Sequence, residues 1–200
     1  MIKYPGPRSK PLFKESQKEE AQIKKVRRSF SSANRGMDFE DDINSSNEYY
    51  LEKKIALIYK RPTPINVVKV DYEHGMKITH AYFEKQSTTD YNGVFQGRYL
   101  DFEAKSTQSK TSIPLNNIAP QQVRHLQNVI EQKGIAFFLV RFASLNEVYL
   151  VDARIICDFY LNKPRKSIPY SVIKDNGYLV KEGYRPRYDF LPIIEEHFLK

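Results

Sequence analysis

Between Arg98 and Lys105 the chain reads RYLDFEAK, an alternation of apolar and charged residues. Successive side chains of an extended strand point to opposite faces. Leu100, Phe102 and Ala104 therefore share one face, and Asp101, Glu103 and Lys105 share the other. Such a strand needs a core on its first side. Its second side gathers two carboxylates and an ammonium within about 7 Å of one another along the strand.

The surrounding sequence supplies the layers that this strand requires. GMDFEDDINSSNEYYLE (residues 36–52) has Met37, Phe39 or Glu40, Ile43, Tyr50 and Leu51 at helical spacing. Ile55 to Tyr59 is a short apolar run that fits a buried strand, and Arg61-Pro62-Thr63-Pro64 breaks it. PINVVKVDY and MKITHAYF, separated by a His74-Gly75 turn, predict a hairpin over Pro64–Phe83 that projects from the core. Ala119–Gln132 predicts a helix capped at Gly134. GIAFFLVRF and EVYLVD predict two more strands, the first apolar enough to lie centrally. Helices are expected over Asp152–Leu161 and Tyr188–Phe198. This order predicts an α/β fold with a mixed central sheet flanked by helices.

Two hundred residues suit one domain, and the formal net charge of +8 calls for an anionic partner, most simply nucleic acid. The charge is concentrated at one end. In residues 1–30 nine Lys and Arg face Glu15, Glu19 and Glu20, so about six of the eight net charges sit there. That segment has three prolines and little apolar periodicity, which predicts a disordered arm, either a solvated tail or a DNA-tracking element. Residues 31–200 are then expected to form one domain, with the hairpin at about 62–83. No apolar run is long enough to span a bilayer, there is no signal-peptide core, and Cys157 is the only cysteine. The expected location is cytoplasmic and nucleoid-associated, with no membrane partner and no cysteine-based metal cage.

Asn92-Gly93 is a strong turn signal. A turn between Asp90 and Arg98 brings Asp90 back beside Glu103 as a further carboxylate. Carboxylate oxygens from two such residues suit Mg²⁺, which keeps several of its waters. A neighbouring ammonium, Lys105, can orient an attacking water and offset charge at phosphorus. The spacing therefore predicts phosphodiester hydrolysis. Asp101 is either a supporting acid or the strand's solvent-facing residue. His74, His80, His125 and His197 show no ligand spacing, and no phosphate-binding or dinucleotide fingerprint is present.

The Asp…Glu-x-Lys pattern resembles the PD-(D/E)xK nuclease superfamily. More narrowly, the chain resembles the RecU-type Holliday junction resolvases. The resemblance is carried by SANRGMDFEDDIN, KRPTP, AYFEKQSTTDYNGVFQGRYLDFEAK, KTSIPLNNIAPQQV and GYRPRYDFLPIIE, and so covers nearly the whole chain. It implies a restriction-endonuclease-like core, Mg²⁺-dependent cleavage of four-way junction DNA, a homodimer and a recombinase as a further partner. It implies metal-site positions at Thr88, Asp90, Glu103 and Gln122, a transition-state-stabilising Lys105, and Glu40 as an extra helix carboxylate. On sequence alone Gln122 reads as a surface helix residue and Thr88 as an ordinary hydroxyl.

The family's protruding hairpin matches Pro64–Phe83. Lys60, Arg61, Lys69 and Lys77 are then expected phosphate contacts, with Tyr72 or Tyr82 placed to stack on bases at the crossover. A solvated hairpin with core-facing tyrosines is the plain alternative. Arg35 either holds a phosphate or pairs with a helix acid. Lys163-Pro164-Arg165-Lys166 and the pair Arg185 and Arg187 suit DNA backbone contact or simply a soluble surface. Two rival functions accompany the resolvase reading: a non-catalytic junction-binding or recombinase-modulating protein, and a nuclease of linear duplex.

Overall fold

The structure, a computed structural model, describes residues 38–72, 75–84, 88–162 and 164–199. The expected basic arm, Arg35 and His74 lie outside the described residues. A helix over 38–52 (α1) leads to β1 (Ala56–Lys60), and β2 (Ile65–Asp71) with β3 (Lys77–Phe83) forms the hairpin. Next come β4 (Tyr91–Phe95), β5 (Arg98–Thr107), β6 (Ser112–Pro114) and α2 (Pro120–Glu131). After β7 (Ile135–Phe142) and β8 (Glu147–Asp152) follow α3 (Ala153–Asn162), β9 (Ser167–Pro169), α4 (Tyr170–Asn176) and β10 (Gly177–Leu179). The chain closes with β11 (Lys181–Glu182), β12 (Tyr188–Asp189) and α5 (Leu191–Phe198).

A mixed six-stranded sheet in the order β1-β4-β5-β7-β8-β10 divides the molecule into two apolar layers. The pair β5–β7 is parallel and the remaining neighbours are antiparallel. A parallel pair needs a crossover, and α2 lies in it. IAFFLVRF sits centrally, as its unbroken hydrophobicity predicts. Phe137 and Leu139 pack on one side with α1 and α5, and Phe138, Val140 and Phe142 on the other with α2 and α3. Leu100, Phe102 and Ala104 of β5 join the first layer. Tyr91, Phe102 and Phe137 stack ring on ring through it, with centroids 4.8 and 4.6 Å apart.

The expected turn at Asn92-Gly93 is not one. β4 runs straight through both residues, with Asn92 opposite Asp101 and Gly93 opposite Leu100. The turn falls at Gln96-Gly97, where both residues take positive φ, 47° and 74°. Gly93 serves close packing instead: a Cβ there would lie 2.2 Å from the Leu57 carbonyl oxygen on β1. The C-terminal helix also starts later than its pattern predicts, at Leu191, because Tyr188 and Asp189 pair with β11. Tyr50 Oη donates to the Tyr188 carbonyl and accepts from Phe190 N, which ties this segment to α1. At the end of α2 the left-handed residue is Lys133, φ 66°, and Gly134 follows it, donating to the Val129 carbonyl. Gly134 is needed there because a Cβ would press on Val129 at 2.6 Å.

The hairpin β2–β3 forms a two-stranded sheet of its own and contributes no residue to either core layer. Lys69, Tyr72, Lys77 and Tyr82 are all exposed, so the core-facing reading of its tyrosines is excluded. Its base closes where Glu84 N donates to the Pro64 carbonyl. Among the described residues no helix is long and apolar enough to cross a membrane.

Candidate active site

The polar face of β5 does not look into solvent. It faces the layer of α2, and in the parallel register Glu103 lies beside Phe138 and Lys105 beside Val140. A carboxylate set among such neighbours loses its hydration, and the charged form becomes costly. Glu103 is wholly buried. Desolvation first, then the charge of Asp90, push its carboxyl up to about 8, against the opposing pull of Lys105.

The β4–β5 ladder ends at the pair Tyr91–Phe102, which sets Asp90 next to Glu103. Asp90 takes over the next rung with its side chain: Oδ2 accepts Ala104 N at 3.1 Å, while Asp90 N donates to Glu103 Oε2 at 3.2 Å. Glu103 Oε1 accepts from Lys105 Nζ at 2.5 Å and from Gln122 Nε2 at 2.7 Å. Gln122 stands in the first turn of α2, where its Oε1 accepts Ala119 N at 3.0 Å and satisfies one of the helix's open N–H groups. It is buried, not a surface residue. Thr88 is half-buried two residues before Asp90.

So the structure brings together Asp90, Glu103, Lys105 and Gln122 from three separate elements. The Glu40 carbonyl accepts Tyr91 Oη, and its side chain is paired with Lys60: Oε2 accepts Lys60 Nζ at 2.5 Å, near the surface. That contact also occupies one of the cations expected on phosphate. Among the described residues no group of three or more His, Cys, Asp or Glu side chains could hold a metal ion. The protein's charged oxygen donors at this point are the two carboxylates.

Asp101 is not the solvent-facing residue that one reading of the strand allowed. It is completely buried. Its Oδ2 accepts Arg61 Nη2 at 2.6 Å and Tyr99 Oη at 2.8 Å, with His125 Nε2 at 2.9 Å, and its Oδ1 accepts from Thr89 Oγ1. Stripping one partner from a buried pair such as Arg61–Asp101 costs about 3–5 kcal/mol, because the other charge is left stranded. Thr89, Tyr99 and His125 were not singled out by their chemistry in the sequence. Two of them were within reach of pattern: period two puts Tyr99 on the face of Asp101, and His125 lies one helical turn after Gln122. Away from the site, Arg185 pairs with Glu52 and Arg187 with Glu182.

A strand that packs its core with alternate residues and sets a desolvated acid beside an aspartate, with a lysine two residues on paired to that acid, is the Asp…Glu-x-Lys arrangement in three dimensions. Comparison with known proteins narrows the class. The family model described as "RecU: Recombination protein U" matches residues 34–196, and the chain belongs to that family. It is 47% identical to the Holliday junction resolvase RecU of Streptococcus agalactiae over 179 residues, 88% of this chain and 90% of that one. It is 46% identical to the protein of the same name from Lactococcus lactis subsp. lactis over 208 residues, 98% of each. The Holliday junction resolvase Hjc of Archaeoglobus fulgidus, a solved structure, aligns with a TM-score of 0.42 at 14% identity, covering 72% of this chain and 94% of that chain.

Proposed function

We propose that this chain is a Holliday junction resolvase, an endonuclease that nicks four-way DNA junctions in recombination and repair. The observation that carries the reading is the buried grouping of Asp90, Glu103 and Lys105 in a chain of the RecU family. Two adjacent carboxylates, one of them desolvated until its carboxyl is pushed up to about 8, fit a small hard cation that restores the charge balance. Mg²⁺ suits the set, since it binds through one or two carboxylates and retains waters.

Asp90 and Glu103 would hold the ion, and Thr88 and Gln122 would complete the site. Gln122 Oε1 accepts Ala119 N and has a second lone pair that could turn to the ion, while Nε2 serves Glu103 directly. Bound there, Mg²⁺ supplies Lewis acidity toward the scissile phosphate and makes a water more acidic. Lys105, held on Glu103, orients the attacking water and offsets the charge that grows on phosphorus. The exposed hairpin offers Lys69 and Lys77 to phosphates and Tyr72 and Tyr82 to opened bases. Arg35 is a further phosphate contact on the family resemblance, and Lys60 becomes one where DNA draws it from Glu40. A homodimer gives two sites related by a two-fold axis, which suits paired nicks on a junction of similar symmetry. A recombinase is the natural further partner, at the nucleoid in the cytoplasm.

The test uses synthetic four-way junctions and linear duplex of matched sequence, incubated with wild type or Lys105→Ala in Mg²⁺ or EDTA. Symmetric nicks near the crossover that need both Mg²⁺ and Lys105 are expected. Junction binding without cleavage in any metal would establish a binding protein instead, and equal cutting of the duplex a different nuclease.

A further inference from the structure

Arg61 occupies the root of the hairpin, between the end of β1 and the Pro62-Thr63-Pro64 entry to β2. A cation in that place is expected to reach outward for phosphate. Its side chain turns inward instead and is 18% exposed. Nη2 donates to Asp101 Oδ2 at 2.6 Å and Tyr99 Oη at 2.8 Å, and Nη1 donates to Thr89 Oγ1 at 2.8 Å. Its main-chain N–H donates to the Asp90 carbonyl at 2.7 Å. Thr89 is gripped twice, since its hydroxyl also donates to Asp101 Oδ1. One residue therefore fastens both, Asp90 through its main chain and Thr89 together with Asp101 through a fork that only a guanidinium provides.

The geometry points to Arg61 as a positioning residue for the metal site, with buried Asp101 as its anchor, rather than as a contact to DNA. It holds the Thr89–Asp90 segment against β5 so that the Asp90 carboxylate meets Glu103. Hydrogen-bond partners that orient metal ligands typically govern metal affinity by about 10–100-fold when removed. A phosphate contact would leave metal affinity alone and weaken DNA binding uniformly. The inference rests on the metal-site reading given above, so its test keeps the two separate.

Mn²⁺ affinity is measured on the full, DNA-free chain by titration against free-ion paramagnetic resonance. Junction affinity is measured separately in EDTA at several salt concentrations. The variants are Arg61→Gln, Arg61→Lys and the double variant Arg61→Gln/Asp101→Asn, which removes both charges together and so leaves no buried ion stranded. All three are expected to lose about tenfold or more in Mn²⁺ affinity. Junction affinity in EDTA should stay within about twofold, and lysine should fail to rescue because it cannot hold Asp101 and Thr89 at once. Unchanged Mn²⁺ affinity with weaker, less salt-sensitive junction binding overturns the inference and returns Arg61 to the DNA surface. A wild-type chain that binds no Mn²⁺ overturns the metal-site reading, and this inference with it.

Discussion

Gln122 Nε2 stands 2.7 Å from Glu103 Oε1 while the carbonyl of the same side chain accepts Ala119 N at 3.0 Å. One amide thus fixes the start of α2 and the orientation of the buried acid. Gln122→Ala removes both contacts. The lost cap costs about 1 kcal/mol, and a freer Glu103 should slow junction cutting by about 10–100-fold at fixed Mg²⁺. Thermal unfolding should fall by only about 2–4 °C. A cutting rate within twofold of wild type would separate Gln122 from the site.

Glu103 gives a pH dependence with a definite sign. Its carboxyl is pushed up to about 8 in the folded, metal-free protein, above its ordinary unfolded value, so folding favours the protonated acid. The stability this contributes is fully present below the ordinary carboxylate range and is lost as pH rises through about 8. Glu103→Gln, a neutral stand-in for the protonated acid, should therefore stabilise the metal-free chain at about pH 9 and change little at about pH 4. Melting curves in EDTA at both pH values check it. In wild type, Mn²⁺ binding should release a proton near neutral pH, seen as a buffer-dependent heat in calorimetry.

Gly93 makes a purely steric prediction. A methyl group there meets the Leu57 carbonyl at 2.2 Å and Ile58 Cα at 2.7 Å, both main-chain atoms with nowhere to go. Gly93→Ala should destabilise by about 3 kcal/mol as β1 is levered from β4. Denaturant unfolding would show it as a lower midpoint, and Asn92→Ala, in the same strand but without this contact, should have a much smaller effect.

Gly93 also shows where sequence reasoning reached its limit. Asn-Gly is the strongest short signal for a hairpin turn, yet here the glycine answers to a neighbouring strand that no local window can see. Gln96-Gly97, a weaker pattern, took the turn, and it is this turn that returns Asp90 beside Glu103, since a two-residue turn at Asn92-Gly93 would set Asp90 against Phe95. The alternation in RYLDFEAK was fully legible, since period two depends on nothing beyond the strand itself. That its charged face is buried was not, because burial depends on β7 and α2, which pair and pack from further along the chain. Asp101 became interpretable only with Arg61, forty residues away in sequence. The short strands β6, β9, β10, β11 and β12 carry too few residues to show a period.

The hairpin separates binding from stability. None of its residues enters either core layer, so Lys69→Ala/Lys77→Ala should leave the melting temperature within about 1 °C. If both lysines lie on phosphates, the slope of log affinity against log salt for junction DNA should fall by about 2. Tyr72→Ala/Tyr82→Ala should lower junction affinity by about 1–3 kcal/mol for each base that loses its stack. An unchanged salt slope in the lysine pair would move the DNA to another face.

The crossover that makes β5 and β7 parallel has a consequence for the protein while it is being made. Asp90, Glu103 and Gln122 come from before β4, from the middle of β5 and from the start of α2, and α2 can dock only once β7 has been added beside β5. A chain that ends between Gln122 and Phe142, on the ribosome or by truncation, has every one of those side chains and no assembled place for them to meet. A junction nuclease built this way is expected to stay inert until its synthesis has passed the point of closure, and proteolysis that frees β7 is expected to disarm it again.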